Sequence, residues 1–175
     1  QISLIRNGAA VTISAVGLSG WKIRPASVTL PGATLDFTKY REIDIYSPNL
    51  EFVPTITSGN SYLLVSLSPS TARILLNDIN VYGQTQTAFL HSGVATKKYV
   101  KLPLHINIVK IGPSLYKIRI DARGIQSDNS NMSPPVAVTR DFGGVITGSE
   151  ITSLSFNESY TNRVKNGTRV VVIRR

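Results

Sequence analysis

The longest regular pattern in the chain is an alternation of apolar and polar residues in two segments, 98–110 and 116–122. A period of two is typical of β-strands that bury one face. The segments flank the turn-forming residues 112–115, Gly-Pro-Ser-Leu, so the pattern predicts a β-hairpin. Its predicted core face consists of the even-numbered positions Val100, Leu102, Leu104, Ile106, Ile108, Tyr116, Ile118, Ile120 and Ala122.

The register of this hairpin must place residues of the same face opposite one another. We therefore expect Ile108 opposite Ile120 and Ile106 opposite Ala122, with a three-residue loop or a bulge at the turn. The same register predicts two polar pairs on the outer face, Asn107 opposite Asp121 and His105 near Arg123.

The rest of the chain also divides into short strand-like segments separated by Gly, Pro, Asn and Ser. Residues 72–82 fit a helix or a strand, and the β context favours a strand. Asn7-Gly8 and Asn166-Gly167 predict hairpin turns near the two ends of the chain, and 124–135 predicts a long exposed loop. The remaining predicted strands are 2–6, 9–15, 21–30, 42–47, 51–57, 61–68, 136–140, 145–155 and 169–173.

Length and composition are those of one folded domain. A chain of 175 residues, 42% hydrophobic and 17% charged, can fill one core, whereas two cores would each be marginal. The longest uncharged stretch, 52–72, contains Pro, Gly, Asn and Ser, so we expect no membrane-spanning segment. We predict an all-β fold, a single antiparallel β-sandwich domain over residues 1–175.

The chain is strongly basic, with a formal net charge of +9, which favours anionic partners. One predicted anion-binding face is that of the hairpin, and a second basic set lies near the C-terminus at Arg163, Lys165, Arg169, Arg174 and Arg175. The alternative is a solvated strand face whose cations prevent edge-to-edge pairing. Few aromatic residues accompany the cations, which argues against nucleic acid. The predicted ligand-binding residues are Lys97, Lys98, Lys101, His105, Lys117 and Arg119.

Catalytic motifs are not apparent in the sequence. The two histidines, His91 and His105, have no second ligand at metal-site spacing, and there is no Gly-x-Ser-x-Gly elbow. The carboxylates are scattered, and the absence of cysteine excludes thiolate chemistry and disulfides. We therefore expect a non-enzymatic protein with no cofactor and no metal.

An all-β, cysteine-free, Ser- and Thr-rich chain that begins at Gln1 is similar in general form to chaperone–usher pilus subunits and adhesin domains. The resemblance implies an immunoglobulin-like sandwich, completed by an alternating donor strand from a neighbouring subunit. Residues 9–17 alternate as a donor strand would. The chain lacks the cysteine pair common in the family and is more basic, which favours a tip adhesin or a chaperone-like helper over a shaft subunit.

The predicted function is that of an exported protein of the bacterial cell surface or periplasm. It would bind a protein neighbour or an anionic glycan through the basic hairpin face. One alternative is a viral or phage structural protein whose positive face meets nucleic acid or a neighbouring subunit. Another is a carbohydrate-active enzyme.

Overall fold

The computed structural model describes residues 2–4, 28–30, 35–53, 60–76, 87–94, 99–129, 131–158, 163–164 and 170–175. In these residues the regular structure is antiparallel β-sheet without a helix, which confirms the all-β prediction. No helix long and apolar enough to cross a membrane occurs in them. The strands are β1 Ile2–Leu4, β2 Val28–Leu30, β3 Glu42–Ser47, β4 Glu51–Val53, β5 Asn60–Ser68, β6 Arg73–Leu76, β7 Thr87–Val94, β8 Tyr99–Lys101, β9 Leu104–Gly112, β10 Leu115–Ser127, β11 Val136–Thr147, β12 Ser153–Glu158, β13 Arg163–Val164 and β14 Val171–Arg174.

The larger of two sheets is built around the predicted hairpin. Strand β10 pairs with β11 along one side and with both β8 and β9 along the other. Because β8 and β9 keep one register against β10, they are two halves of a single long strand. Strands β3 and β4 pair with these halves, and β14 and β13 pair with β3 and β4 in turn. Strand β1 lies beyond β14, and β6 lies beyond β11.

A proline and a glycine shape the break between β8 and β9. Pro103 has no N–H group, and the amide of Leu102 donates to the carbonyl of Leu50 at 2.8 Å, in the register of β8 against β4. Opposite this break lies Gly124 on β10, where a Cβ atom would be 1.8 Å from the carbonyl oxygen of Lys101. Only glycine therefore allows the two backbones to approach so closely.

The smaller sheet has the order β2-β12-β5-β7 and is joined to the larger one at a corner. Strand β5 leads into β6 while β11 leads into β12, and the two bent segments pair with each other in both sheets. At the bend, Thr152 donates its amide to the carbonyl of Ser68 at 2.8 Å, and Gly148 adopts a positive φ of 92°. The corner therefore joins two antiparallel ladders, β6–β11 and β5–β12.

One cluster of buried side chains extends across both sheets. Val65, Leu67 and Leu154 come from the smaller sheet, and the hairpin supplies its even-numbered residues. The predicted core face of β8, β9 and β10 is confirmed, since each of those nine even positions is buried. Period-two alternation was therefore a sufficient guide to the face of the hairpin that packs in the core.

The predicted register of the hairpin is wrong by two residues. Ile108 lies opposite Ile118 and Ile106 lies opposite Ile120, because the turn is tighter than expected. Only Pro113 and Ser114 separate the paired residues of β9 and β10, and Ser114 takes a positive φ of 48°. The expected bulge is present next to Tyr116. On the outer face, Asn107 therefore faces Arg119 and His105 faces Asp121.

Two other segment predictions also differ from the structure. The loop predicted at 124–135 is shorter, because β10 continues to Ser127 against β8 and β11. Strand β11 passes through Gly143-Gly144 without a break. Asn166-Gly167, the turn predicted near the C-terminal end, lies outside the described residues. Asn7-Gly8 also lies outside the described residues. The strand predicted within 72–82 is confirmed as β6, and residues 77–82 lie outside the described residues.

A carboxylate links the β9–β10 turn to the corner between the sheets. Glu150 accepts hydrogen bonds from the Lys110 ammonium at 2.8 Å, from the Ser114 amide at 2.7 Å and from the Tyr116 hydroxyl. The hydroxyl of Tyr116 also accepts from the amide of Ile151 at 3.2 Å. These donors, Lys110 foremost, lower the pKa of Glu150 to about 2, whereas burial and the nearby carboxylate raise the pKa of Tyr116 to about 12.

Replacing Gly124 with alanine should destabilise the fold severely, because the new methyl group would overlap the Lys101 carbonyl. We expect a loss of about 3 kcal/mol in the free energy of unfolding, measured by urea denaturation. Gly143→Ala on the neighbouring strand is the matched control, since no atom lies within 4 Å of its Cβ position. The control should be neutral or gain about 0.5 kcal/mol. Equal losses in both variants would contradict the close-approach explanation.

Replacing Glu150 with glutamine should flatten the acid branch of the stability curve. The folded-state pKa of about 2 lies below the ordinary value of 4.5, so the contribution of this carboxylate is complete above pH 4.5. It declines as the pH falls towards about 2 and is absent below. Melting temperatures of the two proteins should therefore differ at neutral pH and converge near pH 2. A constant difference at all pH values would rule out this linkage.

Candidate functional site

The predicted ligand-binding residues lie on the outer face of the large sheet, the face opposite the core. Lys101, His105, Lys117 and Arg119 all occupy odd-numbered positions of β8, β9 and β10 and share that face. Lys97 and Lys98 lie outside the described residues. Lys117 lies opposite Val109. Val109 is eight residues from Lys101 along the strand formed by β8 and β9, so Lys117 and Lys101 are roughly 27 Å apart along the sheet. The four residues therefore form a line along the hairpin and not a compact cluster.

Arginines on the outer face are paired with acids. Asp121 and Asp141 lie directly opposite each other on β10 and β11, an arrangement that is unfavourable for like charges. Arg119 contacts Asp141 at 3.4 Å, and Arg123 contacts Asp121 at 3.2 Å. The four side chains thus form a balanced group in which each arginine neutralises one carboxylate.

The two lysines differ in their surroundings. Lys101 lies opposite Glu51 on β4, so a cross-strand pair of opposite charge balances it. Lys117 lies between Val109 and Val145 and makes no ion pair with any residue that the structure describes. Of the predicted cations in the described strands, Lys117 therefore has the least compensated charge.

Asp44 on β3 organises the polar centre of the outer face. Only 3% of this residue is exposed, and its carboxylate accepts hydrogen bonds from His105 Nε2 at 2.7 Å, from Asn107 Nδ2 at 2.8 Å and from Arg175. Because a carboxylate only accepts, Nε2 of His105 carries a proton. Burial alone would raise the pKa of Asp44, but the three donors outweigh it and lower that pKa below its ordinary value.

A shallow cleft opens beside this centre, with a volume of about 470 Å³. The rings of Tyr46 and His105 stack within it, with centroids 4.1 Å apart and planes inclined by 7°. Pro48, which follows the end of β3, and Pro103, which lies between β8 and β9, also line the cleft. We call it the His105 cleft, and its lining is Tyr46, Ser47, Pro48, Pro103, Leu104, His105, Asp121, Arg123 and Val171.

Sequence reasoning found His105 but missed the residues that surround it. Asp44 and Tyr46 come from β3, which pairs with β9 although about sixty residues separate them in the chain. The alternation in 42–47 was the available signal, because Ile43 and Ile45 face the core while Glu42, Asp44 and Tyr46 face outward. Only the pairing of β3 with β9 places that polar row against His105.

The chemistry available at the cleft is hydrogen bonding, charge pairing and aromatic contact. Tyr46 and His105 provide flat rings, Asp121 provides acceptors, and Arg123 provides donors. Within the described ranges no group of three or more histidine or acidic side chains is arranged to hold a metal ion. No protein-family model matches the chain, and no curated protein matches it in sequence.

Removing the Asp44 carboxylate should destabilise the fold, because Asp44→Ala leaves its donors without their buried acceptor. We expect a loss of about 3 kcal/mol in the free energy of unfolding, measured by chemical denaturation at neutral pH. Asp141→Ala is the matched control, since its carboxylate is half exposed and pairs with an exposed arginine. The control should lose at most about 1 kcal/mol. Similar values for the two variants would contradict a central role for Asp44.

Proposed function

We propose that this chain is a non-enzymatic, exported surface or pilus-associated module that binds an anionic glycan on the outer face of its large sheet. Its two antiparallel sheets, which share one buried cluster, support an immunoglobulin-like sandwich as its architecture. The observation that carries the proposal is the His105 cleft, where aromatic rings, an arginine and an aspartate line one concave surface. The chain would act by adhesion and not by catalysis.

The lining of the cleft suits a sugar ring. Ligand sites are mostly apolar surfaces that carry a few polar groups to fix orientation. In the His105 cleft the apolar surface comes from Tyr46, Pro48, Pro103 and Val171, and a pyranose entering it would lie against aromatic and proline carbons. Asp121 can accept hydrogen bonds from sugar hydroxyls.

Arg123 supports an acidic sugar in particular. Its Nε donates to Asp121 at 3.2 Å, while the side chain is 70% exposed. A guanidinium has five N–H donors, so one bond to Asp121 leaves donors for the carboxylate of a ligand. Lys101, two residues from Pro103 on the same face, adds a second cation near the end of the cleft. Both cations are balanced by acids, so recognition would rest on directed hydrogen bonds more than on net charge.

A glycan array probed at low and at physiological salt tests this proposal. We expect binding to glycans that carry a carboxylate at both salt concentrations, because paired surface charges produce little long-range attraction. Arg123→Gln should weaken binding to those glycans about tenfold while leaving neutral glycans unaffected. Arg140→Gln is the matched control, because Arg140 lies in register with inward-facing Ala122 on the opposite side of the sheet.

Melting temperatures show whether the Arg123 variant is folded, and they should change little because an exposed ion pair contributes at most about 1 kcal/mol. Absence of binding at both salt concentrations would refute the glycan proposal. Equal weakening by Arg123→Gln and Arg140→Gln would show that net charge, and not the cleft, attracts the glycan.

A further inference from the structure

A second concave site lies between the segment before β3 and the end of β9. It has a volume of about 340 Å³ and includes three cationic residues and no acid. None of these residues belongs to the outer-face set, so the site is separate from the His105 cleft. We call it the Arg41 pocket, and its lining is Phe37, Thr38, Lys39, Tyr40, Arg41, Lys110, Ile111 and Gly112.

The backbone of the Arg41 pocket is held in place by hydrogen bonds. Asp36 forms a turn in which its carboxylate accepts from the Thr38 amide at 3.1 Å and its carbonyl accepts from the Tyr40 amide at 3.0 Å. The Lys110 amide donates to the Arg41 carbonyl at 2.8 Å. Phe37 packs edge-on against buried Tyr116, with ring centroids 4.9 Å apart. The pocket is therefore preformed.

The charges at the Arg41 pocket are not balanced. Lys110 pairs with Glu150 at 2.8 Å, and Lys39, which is 73% exposed, approaches Asp36 at 3.9 Å. Arg41 donates its Nε to the Lys110 carbonyl at 3.3 Å and forms no ion pair within the part of the chain that the structure describes. The guanidinium of Arg174 lies 5.5 Å over the Tyr40 ring. The three cations of the lining meet two carboxylates, which leaves one positive charge in excess.

We propose that the Arg41 pocket binds a sulfate or phosphate monoester group. The excess positive charge favours an anion, and a sulfate monoester carries one negative charge while a phosphate monoester carries up to two. The Arg41 guanidinium can donate a pair of parallel hydrogen bonds to two oxygens of a tetrahedral anion, and Lys39 and Lys110 add point charges. The source of the group is a sulfated sugar or a phosphorylated one, since both present the same tetrahedral oxyanion.

Titration of the full chain with sodium sulfate and with sodium phosphate, followed by NMR of backbone amides, tests the site. Sodium chloride at matched ionic strength controls for screening. We expect saturable shifts at residues 38–41 and 110–112. Arg41→Gln should raise the dissociation constant about tenfold, as expected for loss of a charge-assisted contact. Arg140→Gln, which removes the same charge elsewhere, should leave it unchanged.

Lys39→Gln is a second variant, chosen because this exposed side chain can change without disturbing the backbone. It should raise the dissociation constant severalfold, whether or not the Arg41 variant is well folded. Shifts that do not saturate, or equal weakening by Arg41→Gln and Arg140→Gln, would overturn the proposal.

Titration with a sulfated disaccharide and with a sugar phosphate distinguishes the two sources. Tighter binding of either one than of the inorganic anion supports the site and identifies its source, whereas no gain for either sugar would overturn a monoester ligand. The Arg123→Gln variant should bind both anions normally. A failure of the glycan proposal at the His105 cleft would therefore be separable from a failure at the Arg41 pocket.

Discussion

The register between β10 and the strand formed by β8 and β9 is the constraint on which the rest of the large sheet depends. Strand β10 is the longest strand in the described sheet and pairs on both sides, so the positions of β11, β3 and β4 follow from it. That register needs a glycine at position 124 and a turn of two residues, which Glu150 holds to the corner. Side chains of distant segments then meet on one face because this ladder aligns them.

The charge distribution shows why a basic face on a strand is a weak guide to a binding site. Four of the outer-face charges pair with each other, since Asp121 and Asp141 would repel across the ladder without Arg119 and Arg123. At the end of the sheet, around Arg41, cations outnumber carboxylates. Counting cations along one strand could not reveal this, because the neutralising acids belong to other strands.

The alternation of apolar and polar residues predicted most of the strands and their buried faces. It did not predict which distant strands pair, such as β3 with β9. Alternation identified Ile106, Ile118 and Ile120 as core residues, because burial of one face imposes a period of two. A register error of two residues leaves every side chain on its predicted face of the sheet. The alternation in the sequence is therefore equally consistent with the predicted and the observed register. His105 was predicted at the site, but Asp44 and Tyr46 were not, since only the β3–β9 pairing brings them to it.

Two neighbouring strand positions of the large sheet are interrupted at one level, between β3 and β4 and between β8 and β9. These interruptions lie side by side, and the His105 cleft lies over them, lined in part by Pro48 and Pro103. The position of the His105 cleft therefore follows from the path of the backbone at these strand ends. Its shape can persist while the side chains around it change, so related chains could keep the same cleft and recognise different ligands.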